Sequence, residues 1–165
     1  MYLYLKQKVF TIGDRLTFYN ENQQPVYFVK GSILKIPHRL TISDAAGGEL
    51  VQVKKKIFAL VRTYKIIDMR SNMTVGNVSR KWFSLTKSFN IKINGYPLQI
   101  KGSLFGFQFE VQNMNRQTLV AVRKKLISWG DAYEVSIDEA NIPPEIACAI
   151  CIAFDNAIHS NRRSR

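Results

Sequence analysis

As far as about residue 140, apolar and polar positions alternate with a period of two, the pattern of strands with one buried face. Turn chemistry breaks this alternation into short runs. Asn94-Gly95 separates Ile91-Lys92-Ile93 from Leu98-Gln99-Ile100, and Ala46-Gly47-Gly48-Glu49 separates Leu40-Thr41-Ile42 from Leu50-Val51-Gln52-Val53. Both are hairpin signals. Asn22-Gln23-Gln24-Pro25, Arg70-Ser71-Asn72 and Asn113-Met114-Asn115 read as looser turns. The pattern predicts about twelve strands, near 2–12, 15–20, 25–31, 39–44, 49–56, 62–69, 73–81, 88–94, 96–102, 106–113, 117–126 and 131–138.

An internal repeat orders these strands. In five hairpins the second strand ends in an apolar residue, then polar or basic ones, then two apolar ones. The copies are Val29-Lys30-Gly31-Ser32-Ile33-Leu34, Val53-Lys54-Lys55-Lys56-Ile57-Phe58, Val78-Ser79-Arg80-Lys81-Trp82-Phe83, Ile100-Lys101-Gly102-Ser103-Leu104-Phe105 and Val122-Arg123-Lys124-Lys125-Leu126-Ile127. They recur every 22 to 25 residues, about one hairpin apart, so a shared folding unit explains them.

After the last strand the period changes. Asn141-Ile142-Pro143-Pro144-Glu145 reads as a helix start, with proline in the first turn and an acid at the positive end of the dipole. Nine apolar residues follow, Ile146 to Phe154. A helix at about 143–159, roughly 24 Å long, is apolar all round yet too short to cross a bilayer, so it belongs inside protein. Its alanines and cysteines keep it slim. The fold class that combines these elements is mainly β: an about twelve-stranded closed antiparallel barrel enclosing one hydrophobic C-terminal α-helix. A barrel that wide needs a plug, and closure removes exposed sheet edges. The expected organisation is one barrel domain over 1–161 and a basic tail at 162–165.

A strand-rich body of repeated hairpins ending in a buried helix resembles the tubby C-terminal-like superfamily, particularly its short bacterial and plant LURP-one-related members. The resemblance covers nearly the whole chain and rests on architecture rather than on a catalytic signature. Its relatives include tubby proteins, which bind phosphoinositides through basic barrel residues, and phospholipid scramblases. It therefore implies a binding barrel. The chain shows neither the scramblases' Pro-rich N-terminal arm and separate spanning segment nor the long N-terminal region of tubby transcription factors.

Composition narrows the class further. With 165 residues, 46% of them hydrophobic and 12% aromatic, the chain can bury a core without disulfide or metal staples and is not a disordered tail or coiled coil. No apolar run reaches the ~20 residues of a spanning helix. Met1 to Lys8 lack the basic start and apolar block of a signal peptide, so the expected location is cytoplasmic, with peripheral membrane attachment open.

The charge balance is strongly basic. The net charge is +12, from 24 Lys and Arg against 12 Asp and Glu, which favours anionic partners. In an up-and-down meander the second strands of all five hairpins end at the same rim. Lys30, Lys54, Lys55, Lys56, Arg80, Lys81, Lys101, Arg123, Lys124 and Lys125 would gather there, joined by Arg15, Lys35, Arg39, Arg62, Lys87 and, beyond the helix, Arg162, Arg163 and Arg165. Asp14 and Asp131 fall at this end, whereas Glu21, Asp44, Glu49, Asp68, Asp138, Glu139 and Glu145 fall near the other. In Lys54-Lys55-Lys56 and Arg123-Lys124-Lys125 strict alternation would push a cation into the lumen at a cost of several kcal/mol, so both triplets are expected where the strand leaves the wall. Phe58, Trp82, Phe83 and Phe105 accompany the cations, either facing a lipid interface or lying in the core.

Other chemistry finds little support. Cys148-Ala149-Ile150-Cys151 spells a redox-type spacing but lies within the apolar run rather than at an exposed helix start. His38 and His159, without a second cysteine pair, make no zinc set. A nucleophile elbow, a P-loop, a GxGxxG and paired catalytic carboxylates are all missing from the sequence. Asn72-Met73-Thr74 and Asn77-Val78-Ser79 match glycosylation acceptors, coincidental without secretion.

The expected function is a non-enzymatic binding domain with no cofactor and no metal. Its basic rim would engage an anionic partner, foremost phospholipid head groups at a membrane surface. The anionic-ligand candidates are Lys54, Lys55, Lys56, Arg80, Lys81, Lys101, Arg123, Lys124 and Lys125. Two alternatives stay open, a nucleic-acid-binding or transcription-related protein and a stress- or defence-related interaction scaffold without a lipid ligand.

Overall fold

Strands occupy Tyr2–Lys6 (β1), Arg15–Tyr19 (β2), Pro25–Ser32 (β3), Arg39–Asp44 (β4), Glu49–Lys55 (β5), Thr63–Asp68 (β6), Met73–Arg80 (β7), Phe89–Ile93 (β8), Tyr96–Ser103 (β9), Gln108–Gln112 (β10), Thr118–Ile127 (β11) and Gly130–Ile137 (β12), and Pro144–His159 forms the helix α1. This computed structural model describes residues 1–6, 15–32, 38–81, 89–103, 108–128 and 130–159. The expectations placed on the first strand beyond residue 6, and on Asp14, Lys35, Trp82, Phe83, Lys87, Phe105, Arg162, Arg163 and Arg165, lie outside the described residues.

Every strand pairs antiparallel with its chain neighbours, and β1 pairs with both β2 and β12, closing the barrel. Odd-numbered strands run one way and even-numbered strands return. Alternation decides the faces: Phe18, Val29, Ile42, Val51, Val53, Ile66, Val78, Ile91, Val111, Val122 and Val135 point into the lumen and are essentially inaccessible. The expected Asn94-Gly95 hairpin is present, with φ of 49° and 84° at the two turn residues, a left-handed pair that matches the twist of the flanking strands.

Four other hairpins, β2–β3, β4–β5, β6–β7 and β10–β11, share a different device. An Asx side chain begins each turn and accepts backbone N–H groups from inside it: Asn20 from Asn22 and Gln24, Asp44 from Gly48, Asp68 from Arg70, and Asn113 from Asn115 and Gln117, at 2.8–3.0 Å. Each turn carries one left-handed residue, Gln23, Gly47, Asn72 or Arg116, and the register shifts beside it. Such bulges let a longer turn match strand twist.

The lumen is filled by α1. Ile146 to Phe154 are all buried, seven of these nine residues showing no exposed surface. Proline at its start costs nothing, because the first N–H groups have no intrahelical partner. Arg70, in the β6–β7 turn, donates to the Glu145 carboxylate at 2.9 Å and ties the helix entrance to the wall. At the other end of the buried stretch, Phe154 meets Phe89 and Phe109 edge-on, each 5.3 Å away. Met1 lies at the entrance end, its ammonium donating to the Ile137 carbonyl at 3.0 Å and pairing with Glu139 at 2.9 Å.

Candidate functional site

Alternation of strand direction brings the ends of β3, β5, β7, β9 and β11 to one end of the barrel. Lys30, Lys54, Lys55, Lys56, Arg80, Lys81, Lys101, Arg123, Lys124 and Lys125 therefore stand in the last turns or overhangs of strands that finish at that end. The expectation that both triplets leave the wall fails for β5: Lys54 lies opposite Arg39 and Lys65 on the outer face, and Lys55, opposite Tyr64, is half-buried in the inward register of Val51 and Val53. Lys55 is the last residue of β5 and Lys56 is exposed beyond it. In β11 every residue from Arg123 to Leu126 is exposed, so Lys124 occupies an inward position without entering the core.

The cations differ in what they face. Around β10–β12, carboxylates meet them. Arg123 donates to Glu110 at 3.1 Å, and Lys125 bonds to Glu134, which also accepts from Tyr4 at 3.0 Å. Desolvation acts against ionisation of Glu110, but hydrogen bonds from Thr118, Arg123 and Gln112 hold its carboxyl below the usual range. The bond to Glu134 raises the Lys125 ammonium above its ordinary value. Lys101 lies directly opposite Glu110 across β9–β10. A shallow, open pocket of about 230 Å³ lies between Lys101 and Arg123, but Glu110 already supplies the anion there.

On the other side the balance is different. Arg39 lies opposite Lys54, Lys54 opposite Lys65, Lys65 opposite Asn77 and Asn77 opposite Lys92. Their strand neighbours Ile42, Val53, Tyr64, Ile66, Val78, Ile91 and Ile93 are buried, so these five side chains share the outer face. At the usual strand spacing the row from β4 to β8 is about 19 Å long. Among the described residues no carboxylate bonds to its four cations. From Leu50 to Ile67 the sequence has five cations and no acid. Like charges directly opposite one another destabilise a sheet, and here three adjoin without relief. Lys65 and Lys92 are additions that hairpin-end reasoning misses, since both sit within strands that run away from the rim.

Elsewhere the chemistry is structural. Cys148 and Cys151 are buried. Burial pushes the Cys148 thiol well above its ordinary value and the Cys151 thiol from 9.0 to about 12, the reverse of what a redox nucleophile needs. His38 is exposed at the foot of β4, where its carbonyl accepts from Lys55 N–H at 3.1 Å. Among the described residues no three His, Cys, Asp or Glu side chains are grouped to hold a metal ion, and no helix is long and apolar enough to cross a membrane.

Comparisons with known proteins agree on the architecture. The family model described as LURP-one-related matches residues 1–155. A Bacillus subtilis (strain 168) protein named YxjI, described as uncharacterized, is 29% identical over 161 residues, 96% of this chain and 94% of that protein. An X-ray structure of an Arabidopsis thaliana protein superimposes with a TM-score of 0.61 at 11% identity, over 92% of this chain and 90% of that one.

Proposed function

This chain belongs to the LURP-one-related family, and we propose that it is a non-enzymatic binding domain whose basic barrel end engages phospholipid head groups at an anionic membrane surface. The observation that carries this reading is the row Arg39–Lys54–Lys65, three cations side by side without a carboxylate. Repulsion within the row is relieved when phosphate or carboxylate head groups approach, and each cation near an anionic surface contributes about 1 kcal/mol. Lys54, Lys55 and Lys56 lead the contact. Arg80, Lys81, Lys101 and Lys124 lie further round the same end, and Arg123 and Lys125 contribute less because Glu110 and Glu134 already pair with them.

The test is sedimentation with vesicles of phosphatidylcholine containing phosphatidylserine. The wild-type chain should pellet with them and release as salt rises, and the combined Lys54→Glu, Lys55→Glu, Lys56→Glu variant should stay in the supernatant. Undiminished pelleting of that variant would overturn the reading. Binding to DNA or RNA with a steep salt dependence and none to vesicles would replace the lipid by nucleic acid. Binding to none of these at moderate salt would favour the scaffold.

A further inference from the structure

The β5–β6 hairpin carries more than charge. Its base is closed by the Lys56 N–H donating to the Thr63 carbonyl at 2.8 Å, and between them the chain exposes Ile57, Phe58 and Leu60 to 54%, 92% and 89%. A single exposed leucine is ordinary; three large apolar side chains within four residues at a hairpin tip form a patch that water solvates poorly. Lys54, Lys55 and Lys56 precede it, Arg62 follows it, and Arg39 stands across from Lys54. At the same end, Leu126 is 80% exposed just beyond Lys124 and Lys125.

The opposite end supplies a control within the molecule. Met73, Tyr96 and Met114 are exposed there too, but at the end that also carries Asp44, Glu49, Asp138 and Glu139, whose charges repel an anionic surface. Arg70 and Arg116 share the turns of Met73 and Met114, but Arg70 is paired with Asp68 and Glu145. Among the described residues, runs of three cations adjoin exposed apolar side chains at the β5–β6 end and not here. Ile57 and Leu60 cannot stack on bases as single-strand nucleic-acid platforms do, whereas an apolar tip ringed by lysines suits the boundary between head groups and acyl chains.

We infer that the β5–β6 hairpin tip is a membrane wedge: Phe58 and Leu60, with Ile57, enter the acyl boundary of an anionic bilayer while Lys54, Lys55 and Lys56 stay at head-group level. The inference rests on the lipid reading above and adds an apolar contribution to the affinity, which salt does not screen, beside the salt-sensitive head-group contacts.

Phe58→Cys, labelled with an environment-sensitive nitrobenzoxadiazole dye, tests it directly, because the native Cys148 and Cys151 are buried and do not compete for the label. With phosphatidylcholine–phosphatidylserine vesicles the dye at position 58 should brighten and be quenched by nitroxide-labelled acyl chains. The same dye introduced by Tyr96→Cys, at the other end, should do neither. The double variant Phe58→Ser, Leu60→Ser should keep the wild-type melting temperature and lower the vesicle partition coefficient about tenfold for each side chain removed. Pelleting with an unquenched dye at position 58, equal quenching at both positions, or an unchanged partition coefficient for the double variant would each overturn the wedge while leaving head-group binding intact. Failure of the wild-type chain to pellet at any salt would remove the lipid reading and the wedge with it.

Discussion

Gly102 holds φ at +105°, and a Cβ built there would lie 2.6 Å from the Gln108 carbonyl oxygen, backbone that cannot step aside. Gly102→Ala should therefore cost about 1–3 kcal/mol, read as a melting temperature lower by about 2–4 °C per kcal/mol. Gly95→Ala meets nothing within 4 Å and should cost only the left-handed penalty of about 1 kcal/mol. The two cysteines give a second test. Neither should react with a thiol reagent in the native protein at pH 8, and both should react once it is unfolded. Their stability contribution has a definite sign. The unfolded thiol ionises from about pH 9 while the folded Cys151 keeps its proton to about 12, so the unfolded state binds fewer protons in that window and stability falls as pH rises through it. Denaturant melts at pH 8 and pH 10 should show the fall, and Cys148→Ala with Cys151→Ala should reduce it.

At the scale of elements, α1 is both plug and keystone. Phe154→Ala removes the ring lodged between Phe89 and Phe109 and should destabilise by about 3–5 kcal/mol in chemical denaturation. Arg70 and Glu145 should show coupling in a double-mutant cycle, since removing Arg70 alone strands a carboxylate that is 9% exposed. The strands and the helix were legible in the sequence because a barrel packed around an apolar rod enforces strict alternation on its wall, and the Pro144–His159 helix begins one residue from its expected start. The Asx turns were legible too: Asn20, Asp44 and Asp68 stand 24 residues apart, a repeat at the opposite end from the basic one. What alternation does not reveal is cross-strand register. Glu110 reaches Arg123 from 13 residues away and Glu134 reaches Lys125, while Lys54 meets only Arg39 and Lys65. The basic triplets of β5 and β11 look alike in sequence and differ in charge balance for that reason. Solvent exposure of Phe58 is similarly invisible to a pattern that reads apolar residues as core.

Across the whole molecule, charge follows from turn chemistry as well as from any ligand. Asp44 and Asp68 serve hairpin turns at one end, and Glu145 and Glu139 hold the helix entrance and the chain start there. Among the described residues Arg39, Lys54 and Lys65 bond to no carboxylate. Replacing Lys54 and Lys65 by Gln should accordingly raise stability by about 0.2–1 kcal/mol while weakening vesicle binding, a trade expected where a surface is kept for a partner. The order of elements along the chain carries a further consequence. Both the strand that seals against β1 and the rod that fills the lumen come last, so a ribosome exposes eleven strands before the interior has anything to close upon. Closure must await synthesis of β12 and α1, and until then the nascent sheet is the kind of surface that chaperones recognise.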